Sequence, residues 1–140
     1  MIKQFINEII TSNEVFVVEH KGEVAVSQSV LFKNDDASPV NVICFWSSKE
    51  MAKNCCIEDW KMYKPQSICL ATFLEDYLVQ VYNESYIAGL NFNESMEGVE
   101  ADPLDVILEI ITVLKKDKIS IELEYFKDIN DLENQLRKLL

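Results

Sequence analysis

The stretch VNVICFWSSKE, residues 40–50, decides the reading of the fold. Val40 to Trp46 is apolar except at Asn41 and rich in β-branched residues, which predicts a short central strand. At Ser47 the pattern reverses. Ser47 followed three residues later by Glu50 forms a capping box, in which the hydroxyl accepts a backbone N–H and the carboxylate reaches back. A helix is therefore expected from about Ser48 to Cys56, with Ala52 and Cys55 or Cys56 facing inward.

Upstream, Ile2, Phe5, Ile6, Ile9 and Ile10 recur at helical spacing and predict an amphipathic helix over 2–12. Two β-branched runs around Lys21-Gly22 predict a hairpin from Glu14 to Ser29. A polar loop from Asn34 to Pro39 leads into the central strand. Downstream, Gln66 to Leu70 reads as a brief strand, and Phe73, Leu74, Tyr77, Leu78 and Val81 mark a helix. Tyr86 to Phe92 reads as a further strand, followed by an acidic loop.

Asp102-Pro103 opens a helix with an N-cap acceptor, a proline in the first turn and lysines at 115, 116 and 118 at its negative end. Two apolar stripes run along it. Leu104, Ile107, Leu108, Ile111 and Leu114 form one, and Val106, Ile110 and Val113 form the other, so both faces need cover. Ile119, Ile121, Leu123 and Tyr125 alternate with polar residues and predict a half-buried strand. Ile129, Leu132, Leu136 and Leu139 predict an amphipathic C-terminal helix.

These elements predict one α+β domain over residues 1–140, with a mixed β-sheet and helices mainly on one face. Residues 115–140 read as a strand–helix extension that packs on the core or on a second copy of the chain. With 49% apolar and 26% charged residues in 140, the composition is that of a globular core. The longest unbroken apolar run, Val42–Trp46, is far shorter than the ~20 residues of a membrane span. No signal-peptide core is present, and a cytoplasmic setting is expected.

The formal net charge of −11 is concentrated. Residues 65–114 contain nine acids and no Lys or Arg; residues 1–64 carry seven bases against nine acids, and 115–140 carry six of each. Such a field repels nucleic acid and anionic membranes and attracts basic partners.

Chemistry is thinly represented. Three glycines build no phosphate loop, and one histidine supplies no multi-histidine site. Cys44, Cys55, Cys56 and Cys69 lack Cys-x-x-Cys spacing and read as free thiols in apolar surroundings, with raised pKa values. His20 beside a surface turn reads as exposed, although a cysteine–histidine pair is the catalytic alternative. The loop from Asn91 to Asp102 resembles a calcium loop in composition, yet Met96 stands where that loop needs glycine. No metal, cofactor or catalytic residue is expected.

A sequence of signatures resembles a known family. The strand ending at Trp46-Ser47, then Ala52, Trp60, Tyr63-x-Pro65 and Ile68-x-Leu70-x-x-Phe73-Leu74 form its first part. Gly89-Leu-Asn, Gly98-Val-Glu and Asp102-Pro103-Leu104 form its second. Over about residues 5–114 the chain resembles DUF2750, a small bacterial family of unknown function. The resemblance implies a compact cytosolic domain and supplies no activity, cofactor or catalytic residue to carry over, and the recurrent glycines read as backbone-permissive positions.

The functional expectation is a non-enzymatic protein that binds a basic protein partner, with an immunity protein against a cationic toxin as one concrete form. Trp46, Trp60, Tyr63, Glu84, Glu94, Glu97 and Glu100 are the candidate partner-binding residues. The alternative is a small-molecule-binding or enzymatic domain with a pocket between sheet and helices. Homodimerisation through the Val106, Ile110, Val113 stripe or the terminal helix fits either.

Overall fold

The computed structural model describes Ile2–Leu140. Helix α1 (Ile2–Ser12) leads to β1 (Val15–His20), β2 (Glu23–Val24), β3 (Val26–Lys33) and β4 (Pro39–Phe45). Helix α2 (Lys49–Asn54), a 3-10 turn (Glu58–Trp60) and β5 (Lys64–Ile68) follow. One helical run then comprises α3 (Leu70–Thr72), a π-helical turn (Phe73–Tyr77) and α4 (Leu78–Asn83). Strands β6 (Ile87–Leu90) and β7 (Val99–Ala101) precede α5 (Pro103–Lys116) and α6 (Ile129–Arg137).

The strands form two sheets, ordered β2-β1-β5 and β3-β4-β6-β7. All pairings are antiparallel except β4 with β6. A bridge between Phe16 and Trp46 joins the sheets into one curled surface, with backbone N–H groups donating both ways at 2.8 and 2.9 Å. The expected α+β class with a mixed sheet is what forms.

Alternation explains the two sides. Val15, Val17, Ile43, Phe45, Ala88 and Leu90 face the larger core, which α1, α4, α5 and α6 cover. Phe16, Val18, Val42, Cys44 and Trp46 face a smaller core closed by Ala52, Cys55 and Phe92. Strand β4 is buried on both sides and central, as its apolar run requires.

Several boundaries differ from expectation. The hairpin turns at Lys21-Gly22, with Gly22 at φ +80°, but β2 lasts only two residues. Ala25 donates its N–H to the Val18 carbonyl at 3.1 Å; after it the chain crosses to pair with β4. A bulge between Gln28 and Lys33 then distorts β3, leaving Val30 and Leu31 exposed at this sheet edge. The cap of α2 is Ser48, whose Oγ accepts the Met51 N–H at 3.2 Å. Ser47 is taken instead by Asn91 and Glu8, so Glu50 falls one position short of a capping box. Strand β7 lies within the stretch read as an acidic loop.

Residues 119–125 form no strand. Their alternation buries Ile121 and Leu123 partly against the core, while the backbone is held by a carboxylate. Glu75, on the π-turn, is buried and accepts the N–H groups of Glu124 at 2.9 Å and Tyr125 at 2.7 Å. The π-turn inserts a wider hydrogen-bonded ring at this point of the helical run. Beyond it, Leu132 and Leu136 of α6 are buried in the larger core, and Glu133 bonds Lys115 and Arg137.

The second stripe of α5 offers no surface for a second copy. Val106 and Ile110 are buried and Val113 packs beside them in the larger core. Gly89 and Gly98 also have another reason than the one expected. Neither has positive φ; a Cβ on Gly98 would lie 2.5 Å from Phe92 Cδ1 and 2.9 Å from the Leu90 carbonyl. Both glycines leave room for the Phe92 ring.

Candidate functional site

The 3-10 turn and the 91–98 loop face the β3–β4 edge across a groove of about 510 Å³. Trp60 lies at this groove with the carboxylates of Glu58, Asp59 and Glu94. Gln28 and Asn41 supply amides from the strands, and no lysine or arginine lines the space. Glu58 and Met96 hold φ values of 51° and 60°, the left-handed region that disfavours L side chains. Such positions cost of order 1 kcal/mol each and persist where surrounding structure holds them.

Aromatic rings extend the site. Tyr63 lies 6.4 Å from Trp60 by ring centroid, and His20 lies 5.6 Å from Tyr63. His20 is half-buried on that ring, not free at the turn as expected, and no hydrogen bond among the described residues joins it to a thiol.

Of the seven candidate residues, Trp60 and Glu94 line the groove together, and the Tyr63 ring lies tilted beside that of Trp60. Trp46 is removed from the set by burial. It is fully enclosed and its Nε1 donates to the Phe92 carbonyl at 2.8 Å. Glu100 is engaged within the fold, accepting from the Ser29 hydroxyl and, at 3.3 Å, from the Val30 N–H. Glu97 is exposed on the 91–98 loop, and Glu84 borders a different cleft. Glu58 and Asp59 were not anticipated. Their adjacency to Trp60 was visible in the sequence, but they lie outside the 65–114 block that carries no Lys or Arg.

The calcium resemblance ends in the loop itself. Asn93 Oδ1 accepts the N–H groups of Ser95 at 2.9 Å and Glu97 at 3.1 Å, closing the turn. Among the described residues no group of three or more His, Cys, Asp or Glu is placed to hold a metal ion.

The thiols divide. Burial pushes the Cys44 thiol far up, and burial followed by the neighbouring Cys56 raises Cys55. Cys69 corrects the expectation that all four are raised. It is exposed, and hydrogen bonding from the Thr72 side chain, then its backbone, holds its pKa below the usual thiol value. Maleimide or iodoacetamide labelling of the native protein should modify Cys69 first, at a pH where Cys44 and Cys55 stay protonated. Peptide mapping that found Cys55 modified ahead of Cys69 would contradict this assignment.

The fold is a small α+β domain, and its groove brings carboxylates, amides and an indole together. The chain belongs to the DUF2750 family of proteins of unknown function, whose model matches residues 2–110. No curated protein and no solved structure matches it. No described helix is long and apolar enough to cross a membrane.

Proposed function

We propose that this protein is a non-catalytic binding module whose acidic groove receives a basic side chain of a protein partner. The observation that carries this reading is the grouping of Glu58, Asp59 and Glu94 around Trp60 in a groove without a basic lining residue. A guanidinium is suited to it, because its plane stacks on indole while its N–H fork meets carboxylates. The net charge of −11 adds long-range attraction and speeds encounter with a cationic surface. An immunity-type role against a basic toxin is one form of this function. Four unpaired thiols support a reducing, cytoplasmic setting.

The test is a pull-down from native extract with stepwise salt elution, run beside Trp60→Ala and Glu94→Lys variants checked by circular dichroism. The expected result is one basic protein that elutes as salt rises. Each variant should weaken its binding roughly tenfold or more, since Trp60 supplies the stacking surface and Glu94 the charge. A captured protein held equally by all three forms would show that the groove is not the binding surface. An empty eluate from the wild type would remove the reading.

A further inference from the structure

A second cleft opens where β3 departs from the β1–β2 hairpin. Because the chain crosses at Ala25, Val24 and Val26 belong to different sheets, and the gap between them is roofed by the π-turn and α4. The cavity is about 430 Å³, within the range of small-ligand sites. Its walls are Val24, Val26, Ile43 and Val81, with the rings of Tyr77 and Tyr86.

Its lining is almost wholly apolar, and the only charged residues that border it are acidic. Asp76 and Glu84 line it, and none of the lining residues is basic. Gln80 Nε2 donates to Glu84 Oε1 at 2.6 Å, which positions that carboxylate beside the cavity. Tyr77 donates its hydroxyl to Glu19 Oε1 at 3.2 Å, which anchors the ring at its hydroxyl end. Burial first, then Glu19, raises the Tyr77 pKa, so the phenol stays neutral and keeps donating. The π-turn is what sets these residues in place. It directs Glu75 to the 124–125 backbone and the next two residues, Asp76 and Tyr77, to the cavity.

We infer that this cleft is a binding site for a small organic cation with a flat apolar body, such as an arylalkylamine. The aliphatic walls remove the apolar body from water, the tyrosine faces attract the cation, and Asp76 and Glu84 meet the ammonium. A neutral analogue loses the charge contacts. An anionic one meets repulsion at the same place. This site is separate from the acidic groove in all its charged residues, although Val26 borders both.

The experiment titrates tryptamine, tryptophol and indole-3-propionate into 15N-labelled full-length protein. Tryptamine should shift the amides of Val24, Gln80 and Tyr86, with about tenfold higher affinity than indole-3-propionate, as expected when two exposed carboxylates attract the one and repel the other. Asp76→Asn with Glu84→Gln should remove most of that preference while leaving the residual apolar binding. Gln80→Trp, a substitution at an exposed helix position, should block all three probes by filling the cavity. Equal affinity for the three probes, shifts centred on Trp60 and Glu94, or no shift at millimolar tryptamine would each overturn the assignment. Loss of partner capture by Trp60→Ala with tryptamine binding intact would separate the two sites.

Discussion

Trp46→Ala is expected to destabilise the protein by about 4 kcal/mol, the scale of emptying an aromatic site in a packed core. The indole is fully buried between Ala52, Cys55 and Phe92, where little can move in to refill the space. Its loss also removes the hydrogen bond to the Phe92 carbonyl, leaving that oxygen with the weaker Cys55 thiol at 3.3 Å. The backbone of the same residue makes the bridge that joins the two sheets, so the cavity would open at their junction. Urea unfolding followed by far-ultraviolet circular dichroism measures the change, with the melting temperature falling by roughly 10–20 °C. Trp46→Phe keeps most of the ring and loses the donor, so about 1–2 kcal/mol is expected. A loss below that for Trp46→Ala would mean that the indole does not set the packing of the smaller core.

Glu75→Ala is expected to cost about 2–3 kcal/mol, less than two full charged hydrogen bonds because removing the carboxylate also relieves its desolvation. The two N–H groups it serves belong to Glu124 and Tyr125, in a stretch without regular secondary structure. The effect should therefore be uneven. Amide exchange at residues 119–126 should accelerate far more than exchange within β4 or α5, since the carboxylate holds the segment locally. Glu75→Gln keeps one acceptor and should fall between wild type and alanine. Uniform acceleration across the chain would instead assign Glu75 to the global core.

These sites also show where sequence reading succeeds. The helix start at Asp102-Pro103 was legible because its signals are local: Asp102 accepts the Leu104 N–H at 2.8 Å and Pro103 opens the helix. The central strand was legible because continuous burial on both faces requires continuous apolar residues. Residues 119–125 were misread because period-two alternation specifies which side chains face inward and says nothing about pairing. Glu75 satisfies that backbone from 49 residues away in sequence, a relation no window contains. Ser47 was misread as the cap of α2 because its N–H goes to Asn91 on a distant loop, while the Ser48 hydroxyl accepts the Met51 N–H. Trp60 and Glu94 were named as candidates by residue type, but their meeting with Glu58 and Asp59 depends on the fold bringing the 3-10 turn to the 91–98 loop.

The bulge in β3 has a colloidal consequence. A flat edge strand carrying exposed Val30 and Leu31 would present other molecules with a row of free peptide groups and apolar side chains, the template on which sheets extend. Between Gln28 and Lys33 the register breaks, and local acceptors take peptide N–H groups: Val30 bonds to Glu100, and Leu31 and Phe32 bond to the Ser29 hydroxyl. An incoming strand therefore finds neither a continuous ladder nor a flat approach, which disfavours extension of the sheet from this edge.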